Sequence, residues 1–224
     1  SVSEALKQPR TRQKEVYEAI IDDLKFAAGN LPDKARERFV GAANADAANT
    51  LLGKVYLTTG NKSEAEKTLK QVYKKFSLVP YADLWDTSKK NGAESIFEIQ
   101  YKGGKANPYS SYWAMFSPLE NKVLTAWGAG LNQASEDLWN SYEPEDIRRD
   151  LSIQNGYISS TDEFINVKYC IKWRDLDAEL NNRREASDNN FIIVRYADVL
   201  LMLTEATGDP AYPVSYTHLT LPTT

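Results

Sequence analysis

Residues 51–69, LLGKVYLTTGNKSEAEKTL, decide the fold class, because they join two amphipathic segments through a glycine-containing turn. The first segment carries Leu52 and Tyr56 four residues apart, and the second carries Ala65 and Leu69 with the same spacing. Residues four apart lie on one face of an α-helix. The stretch therefore predicts two antiparallel helices that pack through these faces.

The intervals within residues 51–69 match the tetratricopeptide helical hairpin. Small residues such as Gly53 and Ala65 would let two helices approach closely, and Tyr56 would fill the gap between them. We therefore predict a mainly α fold with tetratricopeptide-like hairpins, irregular loops and a few short β-strands. The residues that match the template are Leu52, Gly53, Tyr56, Gly60, Ala65 and Leu69.

Two further segments have helical periodicity. In residues 10–32, RTRQKEVYEAIIDDLKFAAGNLP, Val16, Ile20 and Leu24 recur every four residues, which predicts an amphipathic helix. Residues 195–210, RYADVLLMLTEATGDP, predict another helix. Because it repeats the register of the hairpin's first helix, we expect it to be the first half of a second hairpin. The residues in equivalent places are Leu200, Leu201, Thr204 and Gly208.

The last residues, AYPVSYTHLTLPTT at 211–224, have no helical periodicity and contain the chain's only histidine, His218. Pro213 would stand inside the partner helix of the second hairpin, where proline costs about 3 kcal/mol. We therefore expect a poorly packed, non-native tail that resembles a short translated artefact. The preceding helix would then lack its cover over Val199, Leu200 and Leu203.

The middle of the chain shows the alternation of β-strands. In residues 94–102, ESIFEIQYK, the predicted buried face is Phe97, Ile99 and Tyr101. Residues 164–173, FINVKYCIKW, predict a second half-buried strand. Its expected buried face consists of Ile165, Val167, Tyr169, Ile171 and Trp173.

Two other segments of the middle region are less regular. Residues 135–153 predict a short helix and a turn, with Leu138, Trp139 and Tyr142 as core anchors, and residues 175–190 predict a polar surface loop. We expect residues 1–210 to form a single domain. Its parts would be a helical region at 11–77, a loop- and strand-rich region at 94–190, and the start of a further hairpin at 191–208, followed by the tail at 211–224.

Composition excludes several classes of function. The 224 residues carry a formal net charge of -4, whereas a nucleic-acid-binding protein needs a basic face. With no histidine outside the tail and no glycine-rich phosphate loop, we expect no histidine-dependent catalysis, no cofactor and no metal. Cys170 lies in an alternating apolar segment and is expected to be a buried structural thiol. No apolar run approaches the roughly 20 residues of a membrane-spanning helix.

The order of the motifs resembles the SusD/RagB family of outer-membrane nutrient-uptake lipoproteins. The resemblance extends from about Thr11 to Gly208 and is most specific in residues 190–206. Members of this family are considerably longer, so we expect the chain to be an internal, C-terminally truncated fragment. The motifs that carry the resemblance are LPD, YLTTGN, SLVPYADLW, ESIFEIQY, SYEPEDIRRD and NFIIVRYADVLLMLTEA.

The family resemblance implies a non-catalytic, starch- or glycan-binding protein of the cell surface. It implies attachment to the outer membrane through a lipid anchor, with the signal peptide and the lipidated cysteine missing from this fragment. It also implies a SusC-like TonB-dependent transporter as partner, to which the protein delivers an oligosaccharide. No cofactor is implied.

The aromatic-rich residues 103–130 are where we expect the ligand to bind. Flat aromatic rings can stack on the apolar faces of sugars, while side-chain amides bond the hydroxyl groups. Alternatively, the rings of this segment only attach a long loop to the helical scaffold. The candidate glycan-binding residues are Tyr109, Tyr112, Trp113, Trp127, Asn107 and Asn132.

Other charged residues favour a structural role or leave alternatives open. Arg195, Asp198 and Glu205 are spaced for one region of a helix, and we expect a structural ion pair or cap there. A peptide-binding tetratricopeptide scaffold remains one alternative function. The other is a glycoside hydrolase with two carboxylates drawn from Asp137, Glu143, Glu145, Asp146 and Asp150.

Overall fold

The structure, a computed structural model, describes residues 9–104, 108–119, 128–159, 161–180 and 186–214. Within these ranges the helices are α1 Gln13–Asn30, α2 Ala45–Thr58, α3 Lys62–Leu69, α4 Tyr112–Phe116, α5 Glu136–Asn140, α6 Ile147–Ser152, α7 Leu176–Leu180, α8 Tyr196–Thr207 and α9 Ala211–Val214. The strands are β1 Ser95–Ile99, β2 Ile153–Ile158, β3 Phe164–Cys170 and β4 Phe191–Arg195. Short 3-10 helices lie at Lys34–Arg36, Tyr81–Leu84 and Thr87–Lys89.

The described chain divides into two compact units. The first, called the helical unit, comprises the chain up to Phe76 together with Tyr196–Pro213. The second, called the mixed unit, comprises Ser77–Arg195.

The hairpin of α2 and α3 forms the core of the helical unit. The side chain of Asn44 caps α2 by accepting a hydrogen bond from the Ala47 amide at 2.8 Å. A Cβ atom on Gly53 would lie 2.5 Å from Leu69 Cγ, so only glycine permits this approach of the two helices. Gly60 ends the pair's first helix with φ of +79°, in the left-handed region that favours glycine. The predicted mainly α, tetratricopeptide-like fold is confirmed.

Helix α8 packs on this hairpin, against both α3 and α2. Val199, Leu200 and Leu203 are buried, so the expectation that they lack a covering helix is wrong. These three residues face the α2–α3 hairpin. Leu201, which occupies the position equivalent to Gly53 in the repeat, is exposed. Gly208 ends α8 with φ of +75°, as Gly60 ends α2.

The segment after α8 only partly lies within the described residues. The four-residue α9 contains Pro213 in its first turn, where the missing N–H is tolerated because it needs no partner inside the helix. The remainder of the predicted tail, residues 215–224 with His218, lies outside the described residues.

Helix α1 confirms the predicted amphipathic helix but has no buried residue. It packs on α2, and Ile21 and Leu24 contact the cluster formed by Leu52, Tyr56 and Ala65. No helix in the part of the chain that the structure describes is long and apolar enough to cross a membrane.

In the mixed unit, β1 pairs antiparallel with β4, and β2 pairs antiparallel with β3. The predicted buried face of the first strand is wrong: Ile96 and Glu98 are buried, whereas Ile99 is exposed. Register shifts between Ser95 and Phe97 and again at Glu98 interrupt the strict alternation of side chains. Glu98 is tolerated inside because Asn190 Nδ2 donates a hydrogen bond to its carboxylate at 2.8 Å.

The predicted face of β3 is confirmed, since its residues pack in one cluster with Trp113 and Tyr157. The residues of this face are Ile165, Val167, Tyr169, Ile171 and Trp173. Among the other predicted anchors, Leu138 is exposed, so its assignment to the core is wrong. Trp139 is half-buried and contacts charged neighbours, with the Arg149 guanidinium 4.8 Å from its ring centroid.

The prediction of a polar surface loop at 175–190 is wrong at both described ends. Residues 176–180 form α7, and the buried Asp175 carboxylate accepts hydrogen bonds from the Ala178 and Asp188 amides. Asn189 and Asn190 are also buried. Because the side chains of Asp175 and Asn190 form hydrogen bonds inside the fold, a hydrophilic composition did not indicate exposure here. Residues 181–185 lie outside the described residues.

Candidate functional site

A group of half-buried aromatic rings, here called the aromatic cluster, occupies the mixed unit. Tyr112 is at its centre, with its ring centroid 4.9 Å from that of Trp173 and 5.6 Å from that of Phe191. Tyr101 meets Tyr112 edge-on at 6.3 Å. The members of the cluster are Trp85, Tyr101, Tyr112, Phe116, Trp173 and Phe191.

The rings of the cluster are held in defined orientations by one another. Trp173 and Phe191 are stacked with an angle of 6° between their planes and 5.7 Å between their centroids. Trp85 meets Trp173 edge-on at 5.8 Å, and Lys172 Nζ lies 4.8 Å from the Trp85 ring centroid. Edge-on and offset contacts are the favourable geometries for aromatic pairs, so the cluster is a stable arrangement.

Five chain segments supply these rings, one of them being the 3-10 helix Tyr81–Leu84, which Trp85 follows. Tyr112 and Phe116 are one helical turn apart on α4, which places both rings on one side of that helix. Phe191 begins β4 and is paired with Ile99, so Tyr101 is brought close by the end of β1. Trp173 follows β3. The cluster therefore depends on strand pairing between segments that are distant in the sequence.

Buried polar groups fix the backbone beside the cluster. Asn190 Oδ1 accepts a hydrogen bond from the Tyr101 amide at 2.8 Å. Lys90 Nζ donates to the carbonyl oxygens of Tyr101 and Asp188, at 2.9 and 2.8 Å. Burial lowers the pKa of Lys90 from its ordinary value. These bonds hold the segment after β1 in place, so the ring of Tyr101 is positioned by the protein before any ligand arrives.

The structure separates the predicted glycan-binding residues into four groups, of which the buried Trp113 forms the last. Tyr112 belongs to the aromatic cluster. The pKa of its hydroxyl is raised, mainly by burial and to a smaller extent by the neighbouring Tyr101. Tyr109 is exposed, and Asn132 is exposed in a turn with φ of +53°. Asn107 and Trp127 lie outside the described residues.

The prediction of a glycan contact is wrong for Trp113. Its side chain has no solvent exposure and packs beside Tyr169, with 6.4 Å between the ring centroids. A fully buried ring offers neither face to a sugar. Trp113 therefore anchors α4 to the sheet of β2 and β3, as the alternative reading of the aromatic segment proposed.

Sequence reasoning missed Tyr101, Trp85 and Trp173 as members of the candidate site. Tyr101 and Trp173 are predicted on buried strand faces, and Trp85 belongs to a family motif. The alternation of a strand shows which residues share a face, but it does not show whether that face is exposed. Trp173 contacts both the core cluster of β3 and the aromatic cluster. No signal in the local sequence distinguishes these two surroundings.

The predicted ion pair at Arg195 forms with a partner that the sequence did not identify. Arg195 is the last residue of β4, and its Nη1 lies 2.6 Å from Glu94 Oε1. The Glu94 side chain is buried, and its other oxygen accepts a hydrogen bond from the Val79 amide at 3.0 Å. In α8, Asp198 is half-buried and Glu205 is exposed.

Two of the five carboxylates considered for catalysis, Asp146 and Asp150, are engaged in ion pairs. Asp146 caps α6 and is hydrogen-bonded by the Arg148 side chain, which lowers the pKa of the carboxyl group. Asp150 accepts a hydrogen bond from Arg149 at 2.8 Å, and its pKa is lowered for the same reason. A general acid of a glycosidase requires a raised pKa, so neither residue is suited to that role.

Other reactive groups are few in the described ranges. Burial raises the pKa of the Cys170 thiol, consistent with a structural cysteine. The residues from 9 to 214 that the structure describes contain no group of three or more His, Cys, Asp or Glu side chains arranged to hold a metal ion.

Comparisons with known proteins point to one group of relatives. A SusD-like protein of Formosa agariphila is 28% identical over 225 residues, which cover 89% of this chain and 44% of that protein. No protein-family model matches the chain.

Solved structures give the same result for the fold. A SusD superfamily protein from Parabacteroides distasonis has a TM-score of 0.75 at 24% identity, covering 90% of this chain and 48% of that one. Surface glycan-binding protein A from Bacteroides thetaiotaomicron, in complex with laminarihexaose, has a TM-score of 0.72 at 19% identity, covering 88% and 50%. The chain therefore spans about half the length of the relatives that it matches.

Proposed function

We propose that the chain is part of a SusD-like protein that binds an oligosaccharide at the cell surface and delivers it to a TonB-dependent outer-membrane transporter. The similarity to a SusD-like protein and to SusD superfamily structures supports this proposal. The protein would be attached to the outer membrane through a lipid anchor and would not be an enzyme. The structural relative from Bacteroides thetaiotaomicron holds laminarihexaose, a neutral oligosaccharide. A neutral glycan is the class of ligand that we propose for this chain.

The observation that carries the proposal is the aromatic cluster around Tyr112. A partly exposed ring can cover the apolar face of a sugar, and tyrosine adds a hydroxyl at its tip. Tyr109 lies three residues before Tyr112 and is exposed, which suits it to an outer contact. The polar groups that bind hydroxyls would come from the adjacent loops, for which Asn132 remains a candidate.

Two observations support this function over the alternatives. The lowered pKa values of Asp146 and Asp150 are unfavourable for a glycoside hydrolase that uses either residue as its acid. For a peptide-binding scaffold, the face of the α2–α3 hairpin that could form a groove is already packed against α8. Glycan binding by the mixed unit conflicts with neither observation.

Affinity electrophoresis tests the binding part of the proposal. The 224-residue chain should be retarded in native gels that contain a suitable neutral polysaccharide, with laminarin, xyloglucan and starch as the first panel. We expect a Tyr109→Ala/Tyr112→Ala double variant to lose most of the retardation, because two stacking partners contribute about 1–3 kcal/mol each when buried against a ligand.

Phe26→Ala is the matched control, since Phe26 is an exposed aromatic residue of the helical unit. Circular dichroism would verify that both variants are folded. Retardation of the double variant equal to that of Phe26→Ala would refute the assignment of the site. Release of reducing sugar by the purified protein would refute the non-catalytic function.

Delivery to a transporter requires a separate experiment. After crosslinking of intact cells that express the full-length protein, a TonB-dependent transporter should be isolated together with it from the outer-membrane fraction. Recovery of the protein in the soluble fraction, or without any such transporter, would contradict delivery while leaving glycan binding intact.

A further inference from the structure

Strands β2 and β3 expose one side to solvent, here called the outer face. Successive side chains of a strand point to opposite sides, and the odd-numbered residues of β3 pack inward in the core cluster. The even-numbered Phe164 and Asn166 therefore lie on the outer face. Directly paired residues share a face, which adds Ile158 opposite Phe164 and Asn155 opposite Lys168. All of these except Lys168 are exposed, so the outer face offers two apolar and two amide side chains.

The ring of Phe164 is supported by the neighbouring strand. Gly156 of β2 has φ of +76°, and a Cβ atom there would overlap Cζ and Cε2 of the ring, so the ring lies directly over the glycine backbone. At the same time 59% of Phe164 is exposed, and the paired Ile158 is 53% exposed. The ring is therefore held against the sheet, while much of its surface is accessible to a ligand without any rearrangement.

The side-chain amides of Asn155 and Asn166 supply the polar part of the outer face. Asn166 is two residues from Phe164 along β3, which places the two residues about 7 Å apart along the strand. An amide side chain both donates and accepts hydrogen bonds. An accessible aromatic ring beside such amides can cover the apolar C–H face of a sugar while the amides bond its hydroxyl groups.

The charges near the outer face favour a neutral glycan over an anionic one. Lys168 is the only charged residue of β2 and β3, and its Nζ is paired with Glu136. The turn between the two strands carries Asp162 and Glu163, directly before Phe164. An anionic ligand on the ring would therefore lie near two carboxylates, and the strands offer it no unpaired cation.

The apolar part of the outer face is too small for a protein partner. Within the two strands it consists of Ile158 and Phe164, with the amides beside them. A stable protein–protein interface buries about 800 Å² per partner around an apolar core. A sugar ring requires one aromatic ring and a few hydrogen-bonding groups, which is what the outer face provides.

We propose that the outer face is a second glycan-binding site, in which Phe164 stacks on a sugar ring and Asn155 and Asn166 bond its hydroxyl groups. The ligand class, a neutral polysaccharide, rests on the proposed function. The aromatic cluster shares no residue with this site, because Trp173 joins the cluster from the inner side of the strands. The two sites therefore bind different segments of a polysaccharide.

Affinity electrophoresis of Phe164→Ala, with the polysaccharides named above, tests the proposal. The loss of one stacking partner should weaken the apparent affinity roughly fivefold. Phe164→Tyr keeps the aromatic surface and should be retarded like the wild type, whereas Asn166→Ala should lose a smaller part of the retardation. Adding Phe164→Ala to the Tyr109→Ala/Tyr112→Ala variant should remove the retardation that remains in it.

Phe39→Ala is the matched control, because Phe39 is 65% exposed and belongs to the helical unit. It should be retarded like the wild type, and circular dichroism would verify that each variant is folded. Equal retardation of Phe164→Ala and Phe39→Ala would refute the second site while glycan binding by the protein stands. A wild type that no polysaccharide of the panel retards would instead refute the proposed function, and the second site with it.

Size-exclusion chromatography distinguishes glycan binding from self-association through the same surface. The wild type and Phe164→Ala should elute at the same volume. A wild-type dimer that Phe164→Ala dissociates, together with unchanged retardation by polysaccharide, would assign the outer face to a second copy of the chain and would overturn the proposal.

Discussion

The α2–α3 hairpin of the helical unit joins residues that are close in the chain, whereas the β1–β4 pair of the mixed unit joins residues that are far apart. Gly53 and Leu69 meet across one short turn, and they do so through apolar contact. Glu94 and Arg195 are 101 residues apart, Glu98 and Asn190 are 92 apart, and both pairs are polar. The hairpin and the β1–β4 pair are therefore held together by different kinds of contact.

Polar side chains differ in burial between the two units. In α3 the charged side chains face solvent and leave Ala65, Thr68 and Leu69 buried. In the mixed unit, buried acidic and amide side chains link β1 to β4 and to the segments beside them. A buried charge is stable only when it is paired and hydrogen-bonded, so the mixed unit should be the more sensitive to loss of a single polar partner.

The positions of the tryptophans allow each unit to be followed separately. All five tryptophans, at 85, 113, 127, 139 and 173, belong to residues 77–195. Tryptophan fluorescence therefore reports unfolding of the mixed unit. The longest helices lie in the helical unit, so the far-UV circular dichroism signal reports mainly on that unit.

The largest effect is expected for Arg195→Met. The variant leaves the buried Glu94 carboxylate without its charged partner, and loss of one member of a buried pair costs about 3–5 kcal/mol. The fluorescence transition in urea should shift to lower denaturant by the corresponding amount. Adding Glu94→Gln should recover part of the loss, because the uncompensated charge is then removed.

Lys14→Met is the control for this prediction, since both side chains of the Lys14–Glu18 ion pair are exposed. It should not shift either transition measurably. If Arg195→Met has no larger effect than Lys14→Met, the mixed unit does not depend on its long-range ion pair, and the contrast between the units is incorrect.

A smaller effect is expected for Gly53→Ala in the helical unit. The new Cβ would overlap the buried Leu69 side chain, and such overpacking costs about 1–3 kcal/mol. The circular dichroism transition should shift, with little change in the fluorescence transition. In a Leu69→Ala background the added methyl group has space, so the same substitution should become neutral or stabilising.

Gly29→Ala provides the comparison within a helix, because nothing lies within 4 Å of the Cβ position there. Helix propensity alone predicts a neutral or slightly stabilising effect. An equal loss of stability in Gly29→Ala and Gly53→Ala would show that Gly53 is not required for the close approach of α2 and α3.

The smallest effect is expected for Asp146→Asn, at about 1 kcal/mol near neutral pH, since the amide retains the cap of α6 but loses the charge pairing with Arg148. The pKa of Asp146 is lowered in the folded protein from its ordinary value of 3.8. The stability that the carboxylate contributes is therefore present above pH 3.8 and is lost as the pH falls through the lowered pKa.

Urea unfolding followed by fluorescence at pH 7, 5 and 3 would measure this dependence. The difference between wild type and Asp146→Asn should be constant from pH 7 to 5 and should decrease at pH 3. Glu145→Gln is an exposed neighbouring control and should remain near the wild type at each pH. A difference that grows as the pH falls would contradict the assignment of the pairing to Asp146.

The family and the fold class could be predicted because they depend on local patterns. The mainly α fold is confirmed, and the predicted resemblance agrees with the similarity to a SusD-like protein at 28% identity. Helical periodicity placed α1, α2 and α8, and alternation placed the buried face of β3. The predicted division into parts, the transporter partner and the outer-membrane location remain predictions that further experiments must test.

The candidate site was only partly predictable. A high density of aromatic residues indicated the segment that supplies Tyr112 to the aromatic cluster, but Trp113 is its immediate neighbour and is fully buried. On a helix, adjacent residues point about 100° apart, so exposure of one says nothing about the other. Tyr101 and Trp173 joined the cluster only because β1 pairs with β4 and α4 packs beside them.

By itself, the sequence determined the helices, their amphipathic faces and the close approach at Gly53, because these follow from spacing within about twenty residues. Only the tertiary structure decided which face of β1 is buried, which partner Arg195 takes, and which rings meet around Tyr112. The physical reason is that register shifts and pairs about a hundred residues apart depend on how the whole unit packs. No local period of the chain encodes them.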